Sequence, residues 1–169
     1  MDTVVVGITG PAHVGKSTLA GFLTTANIAR RPRSIPMARA LKRLAMRLGW
    51  NGEKDEAGRK LLQNLGQTLR EYDPDYWIRR WEEQFTIVSP PADLVIVDDV
   101  RHQNEYEYLR DAHKAIFIDV QTDRELPKVR DHISERGFTD YEPSISISNS
   151  GSPDDMRAFA ESLKFPEKP

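Results

Sequence analysis

The sequence predicts an α/β protein, a parallel sheet covered by helices on both faces. Three observations carry this. Apolar β-branched runs recur along the chain, segments of helical period separate them, and a glycine-rich turn stands between the first run and the first helical segment. The chain has 169 residues, a length suited to one domain that buries roughly 70% of its unfolded surface. Residues 1–169 are therefore read as a single domain.

Thr3 to Thr9 is a β-branched strand suited to burial on both faces. A helix is expected from Gly15 to about Ala26, with Leu19, Phe22 and Leu23 inward, and a short strand near Ser34 to Met37. Met37, Leu41, Leu44, Ala45 and Leu48 then fall at helical spacing, and Gly49 stops the run. From about Lys54 to Tyr72, Leu61, Leu62, Leu65, Leu69 and Tyr72 define a second apolar helical face. Asp73-Pro74 opens a further helix holding Trp77, Ile78, Trp81 and Phe85. "DLVIVDD", "AIFIDV" and "SISIS" read as strands, with a helix from about Gln103 to Ala112 after the first of them. Ser152-Pro153 starts the last helix. Residues 121–143 are charged and poor in apolar side chains, either a flap or a long surface segment.

Net charge is −2, which gives the molecule no overall polycation character and argues against nucleic acid as a partner. Seven cations lie between Arg30 and Arg47 with no acid among them (Arg30, Arg31, Arg33, Arg39, Lys42, Arg43 and Arg47), a solvated face or an anion site. The absence of cysteine excludes disulfides and cysteine-bound zinc. No leader and no membrane-length apolar run is visible, so a cytoplasmic location is expected.

"GPAHVGKST", residues 10–18, matches G-x-x-x-x-G-K-[ST] between a strand and a helix, the context that motif demands. Gly10 and Gly15 let the N–H groups of His13, Val14, Gly15 and their neighbours turn onto a phosphate at a helix N-terminus. Lys16 would reach the β/γ oxygens, Ser17 a Mg²⁺ ion, and Thr18 the adjoining phosphate. His13 stands at a variable position, either a bystander or a phosphate hydrogen-bond donor. Asp98-Asp99, closing "LVIVDD", offers a second metal-side carboxylate, or a cap for the following helix.

A guanine-specific switch would show N-K-x-D after a later strand, and the chain has none. Arg59, Gln63, Gly66 and Arg70 fall on one helix face. Gly66 costs about 1 kcal/mol in a helix interior, which points to close approach by another helix or by a substrate.

"RKLLQNLGQTLREYDPDYWIRRW", "VIVDDVRHQNEYEYLR", "DHISERG" and "ISISNSGSPDDM" together resemble the deoxynucleoside monophosphate kinases encoded by bacteriophages. The resemblance spans most of the chain in order, with Gln67 after Gly66 where the family commonly has Thr. It implies transfer of the ATP γ-phosphoryl group to a dNMP, giving dNDP and ADP. It also implies a three-layer P-loop NTPase fold with strand order 2-3-1-4-5, a helical substrate-binding part at about 38–88 and a small lid at about 121–143. A related kinase acting on another phosphate ester or a modified DNA base, and a non-kinase ATPase module, stand as alternatives.

On this resemblance, Arg101 would clamp the acceptor phosphate, with Arg70 as a second clamp and Arg39 or Lys42 as a third. Gln63, Gly66, Asp75 and Trp77 would shape the acceptor pocket, and Asn104 with Glu105 would buttress Arg101. Arg124 and Arg130 would act from the lid, and the loop from Asn149 to Ser152, with Asn149 and Gly151, would lie beside the donor base. His132 and Glu135 belong to the H-x-S-E match without an assigned role, and no second histidine nearby supports metal binding there. Magnesium would be held by Ser17 with Asp98 or Asp99, the partners would be small nucleotides, and a homodimer fits the family.

Overall fold

The computed structural model describes residues 3–88, 90–126 and 140–165. Five strands form one parallel sheet: β1 (Val4–Thr9), β2 (Pro32–Ser34), β3 (Leu94–Val97), β4 (Ile116–Gln121) and β5 (Ile145–Ser148). Their spatial order is β2-β3-β1-β4-β5, as expected. Six helices are found among the described residues: α1 (Lys16–Thr25), α2 (Arg39–Arg47), α3 (Glu56–Tyr72), α4 (Tyr76–Thr86), α5 (Gln103–His113) and α6 (Pro153–Ser162).

The alternation of β1 places its side chains in two separate cores. Val6 and Ile8 pack with Leu19 and Leu23 of α1 and with Met156 and Ala160 of α6. Val5 points the other way, with Trp81 of α4 and Tyr106 and Leu109 of α5. Gly7 occurs on that second face because a side chain there would run into the Phe117 ring. The result is three layers, helix, sheet and helix.

Several boundaries differ from the sequence expectation. β2 comprises Pro32–Ser34 rather than Ser34–Met37. Ile35 adds one more bond to Ile96, and the chain then leaves the sheet because Asp99 takes the N–H groups of Met37 and Ala38. Leu48 is 65% exposed and Tyr72 84% exposed, against their expected places on apolar faces. The physical reason is position: α3 packs against α2 and α4 at the periphery, so part of its periodic leucine face meets solvent or a cleft. Asp73 closes α3 instead of opening α4, and Asp75 is the residue before α4 begins.

Candidate active site

The phosphate loop leaves the carboxyl end of β1 with Gly10 at φ 124°, His13 at φ 64° and Gly15 at φ 104°. Glycine is required at the first and last of these positions. A Cβ on Gly10 would strike the Val120 carbonyl, and one on Gly15 would strike the Asn149 amide. No side chain caps α1, whose first turn therefore presents backbone donors to the cleft. The Lys16 ammonium lies across the loop, donating to the carbonyls of Gly10 at 2.8 Å and Pro11 at 2.6 Å. Val14 is buried in the core and contributes its backbone only, its carbonyl accepting from Asn149 Nδ2 at 2.8 Å.

β3 neighbours β1, and the register Gly7↔Val97 brings Asp98 level with the residues that lead into the loop. Between the loop and helices α2 and α3 lies a cleft of about 650 Å³. His13, Gly15, Lys16, Ser17 and Thr18 of the loop and α1 line it together with Lys42 of α2, Gln63 and Arg70 of α3, and Asp98, Asp99 and Arg101 of the turn after β3. The cleft also takes Lys54 and Arg59, two cations that the sequence reading left without a site role. Six cationic side chains (Lys16, Lys42, Lys54, Arg59, Arg70, Arg101) thus face three carboxylates (Asp98, Asp99, Glu105). Two of the three carboxylates are engaged structurally, which leaves the cleft suited to anionic ligands.

The turn after β3 carries Asp99 and the first turn of α5 carries Asn104 and Glu105, and these three side chains each grip a different helix. Asp99 accepts the N–H groups of Met37 at 2.6 Å and Ala38 at 3.0 Å, at the entrance to α2. Desolvation pushes its carboxyl up to about 6, the charges of Asp98 and Glu105 add to this, and the Ala38 and Met37 N–H groups oppose it. Asn104 donates to the Pro74 carbonyl at 2.9 Å and to Asp75 Oδ1 at 3.0 Å, at the entrance to α4. Glu105, 2% exposed, receives Arg70 of α3 at 3.1 Å. Its other oxygen takes the N–H of Arg101 at 3.0 Å and of His102 at 3.3 Å.

These contacts revise several expected roles. Asp99 is occupied as a backbone anchor for the preceding wall, neither facing the metal side with both oxygens nor capping the helix that follows. Asn104 holds Asp75 rather than buttressing Arg101; Glu105 is the residue that reaches the Arg101 backbone. Trp77 is buried and donates to the Gly66 carbonyl, while a side chain at Gly66 would crowd Leu41 of α2 and the Arg70 guanidinium, so the glycine makes room for both. Neither Trp77, Gly66 nor Asp75 lines the cleft, and Arg39 stands exposed outside it. Arg124 donates to the carbonyls of Ser150 and Gly151, joining the Asn149–Gly151 loop instead of reaching over the phosphate loop. Arg130, His132 and Glu135, with most of the expected lid, lie outside the described residues.

Among the described residues no helix is long and apolar enough to cross a membrane, and no group of three or more His, Cys, Asp or Glu side chains could hold a metal ion. A phosphate loop at the carboxyl edge of a 2-3-1-4-5 parallel sheet, facing a cationic cleft, defines the class: the P-loop nucleotide kinases. The comparisons make this specific. The model of the family described as Deoxynucleotide monophosphate kinase matches residues 34–159, and the chain belongs to that family. It is accordingly an enzyme that phosphorylates deoxynucleoside monophosphates. The matched region starts beyond the phosphate loop and contains the whole turn after β3. No curated protein matches the chain. Among solved structures, a mutant of the Mycobacterium tuberculosis APS kinase CysC is similar over 94% of each chain, with 17% identity and a TM-score of 0.44.

Proposed function

We propose that the enzyme transfers the γ-phosphoryl group of ATP to the 5′-phosphate of a dNMP, giving ADP and dNDP. The observation that carries this reading is a single cleft lined both by the phosphate loop with Lys16 and by a further set of cations, Lys42, Arg70 and Arg101, from other elements. A hydrolase needs cations for one nucleotide only. Here the second cluster supplies charge for a second phosphorylated reactant. A cleft of about 650 Å³ also has the dimensions of a small-molecule site rather than of a nucleic-acid surface.

On the donor side, the loop N–H groups and Lys16 hold the β- and γ-phosphates. Ser17 and Asp98 both line the cleft beside Lys16 and offer hard oxygen ligands. One hydroxyl and one carboxylate would suit Mg²⁺, a hard cation that prefers oxygen ligands. When bound there, the ion neutralises charge on the phosphates. On the acceptor side, Arg101 and Arg70 hold the 5′-phosphate in line, Lys42 adds charge, and Gln63 faces the nucleoside. Asn149 shapes the donor end by holding the loop, and Arg124 with Gly151 forms its rim. Because both reactants are anions, positioning and charge neutralisation carry the catalysis. No side chain need abstract a proton, since the acceptor phosphate is itself the nucleophile.

The test is ADP release with ATP and Mg²⁺, measured with each common dNMP and rNMP in turn. ADP release stimulated by one or more dNMPs is expected. Release independent of every added nucleotide would overturn the reading.

A further inference from the structure

We infer that Glu105 is the positioning residue of the acceptor-phosphate site, setting Arg70 and Arg101 through opposite oxygens of one buried carboxylate. This deepens the proposed function and rests on it for the identity of the acceptor.

Glu105 is 2% exposed and lies in the first turn of α5, where its charge also faces the helix N-terminus favourably. A buried carboxylate is stable only when its lone pairs are met. Here one oxygen takes the Arg70 guanidinium at 3.1 Å, and the other takes the N–H groups of Arg101 at 3.0 Å and His102 at 3.3 Å. The two arginines arrive from separate elements, Arg70 from the last turn of α3 and Arg101 from the turn after β3. Glu105 is the group they share. Arg70 has its side chain 23% exposed at the cleft, so one edge of its fork is fixed by Glu105 while the guanidinium still lines the ligand space.

The consequence is directional. Without the carboxylate, Arg70 regains its rotamers and the Arg101 turn loses its backbone anchor, whereas the phosphate loop on β1 keeps all its own contacts. Glu105 does not meet substrate. It acts on the affinity for the acceptor and leaves the donor alone.

Glu105→Gln keeps the shape and removes the charge. With loss of one charge-assisted bond, the KM for the best dNMP is expected to rise about tenfold while that for ATP stays within about twofold. In ¹⁵N spectra at low temperature the Arg70 Nη2–H signal, expected to stand apart in the parent protein because that atom donates to Glu105, should collapse toward the signals of exposed arginines. A merely structural role would lower stability and disturb both substrates alike, and equal changes in both KM values would overturn the inference. So would an Arg70 signal unchanged by Glu105→Gln, whatever the enzyme phosphorylates. Failure of the functional reading is seen separately, as a parent enzyme that no dNMP stimulates. Arg70→Gln removes the pair from its more exposed end and keeps the question open to test if the buried substitution prevents folding. It too should raise the dNMP KM selectively, and an unchanged value would overturn the assignment.

Discussion

The indole N–H of Trp77 donates to the carbonyl of Gly66, 3.1 Å away, and so ties the first turn of α4 to the middle of α3. Trp77 is 3% exposed, so its indole N–H has no access to solvent as an alternative partner. Trp77→Phe keeps most of the apolar volume and deletes the donor. The expected cost is about 1 kcal/mol, seen as a fall in Tm of roughly 2–4 °C. Thermal unfolding followed by circular dichroism measures it, and an unchanged Tm would show that the bond contributes nothing.

His13 holds a left-handed conformation at φ 64° that costs a residue with a Cβ roughly 1–2 kcal/mol. His13→Gly relieves that cost but loosens the unfolded chain, so stability should stay level or rise by up to about 1 kcal/mol. Turnover should persist, because the backbone does the binding. A loss of activity greater than about tenfold, or 1.4 kcal/mol, would assign the imidazole a phosphate contact.

Arg101→Ala should raise the dNMP KM, with ATP affinity little altered, if the side chain, which lines the cleft, holds the acceptor phosphate as proposed. Steady-state kinetics with each substrate varied in turn decides this. An unaltered dNMP KM removes Arg101 from the acceptor site.

The two neighbouring aspartates should separate cleanly. Asp98→Asn should depress Mg²⁺-dependent turnover with little change in Tm. Asp99→Asn should lower stability by about 1–3 kcal/mol, since an amide nitrogen would face one of the N–H groups of Met37 and Ala38. Unfolding curves and a Mg²⁺ titration of turnover on both variants test the division. The reverse pattern would exchange their roles.

A pH dependence follows from Asp93, which accepts the N–H groups of Arg30 at 2.9 Å and Arg31 at 2.8 Å where the chain enters β2. Desolvation pushes its carboxyl upward, but the N–H groups of Arg31 and Arg30 outweigh this and hold it below the ordinary range. With the folded value depressed, its contribution is present above the unfolded value of about 3.9 and disappears as pH falls through the folded one. The Tm gap between parent and Asp93→Asn should therefore be widest near neutrality and narrow below about pH 4. A gap that stays constant down to pH 3 would contradict it.

The layer order and the phosphate loop were legible in the sequence because each has a local signature. β-Branched runs define strands, and a fixed glycine spacing defines the loop. The 2-3-1-4-5 order came with the family resemblance rather than from any periodicity. What local pattern could not convey was partnership across the chain. Asp99 meets residues 37–38, Asn104 meets residues 74–75, and Glu105 meets residue 70. Each takes a nearer role in the sequence reading, Asp99 as a metal ligand or helix cap and Asn104 with Glu105 as supports for Arg101. The N-E pair had drawn attention as a family feature, yet its partners lie about thirty residues upstream. For the same reason the resemblance places Trp77 in the acceptor pocket, since the Gly66 carbonyl that it meets belongs to another helix.

The phosphate loop is braced by the backbone of β4 at one end and by an amide from beyond β5 at the other. Val120 leaves no room for a side chain at Gly10, and Asn149 grips Val14 while crowding Gly15. The ordering entropy of the loop is thereby settled when the sheet assembles, not when a nucleotide arrives. Donor affinity should then follow the integrity of β4 and β5 even where those strands touch no ligand. A substitution deep in the sheet could weaken ATP binding while every residue of the loop stays as it is.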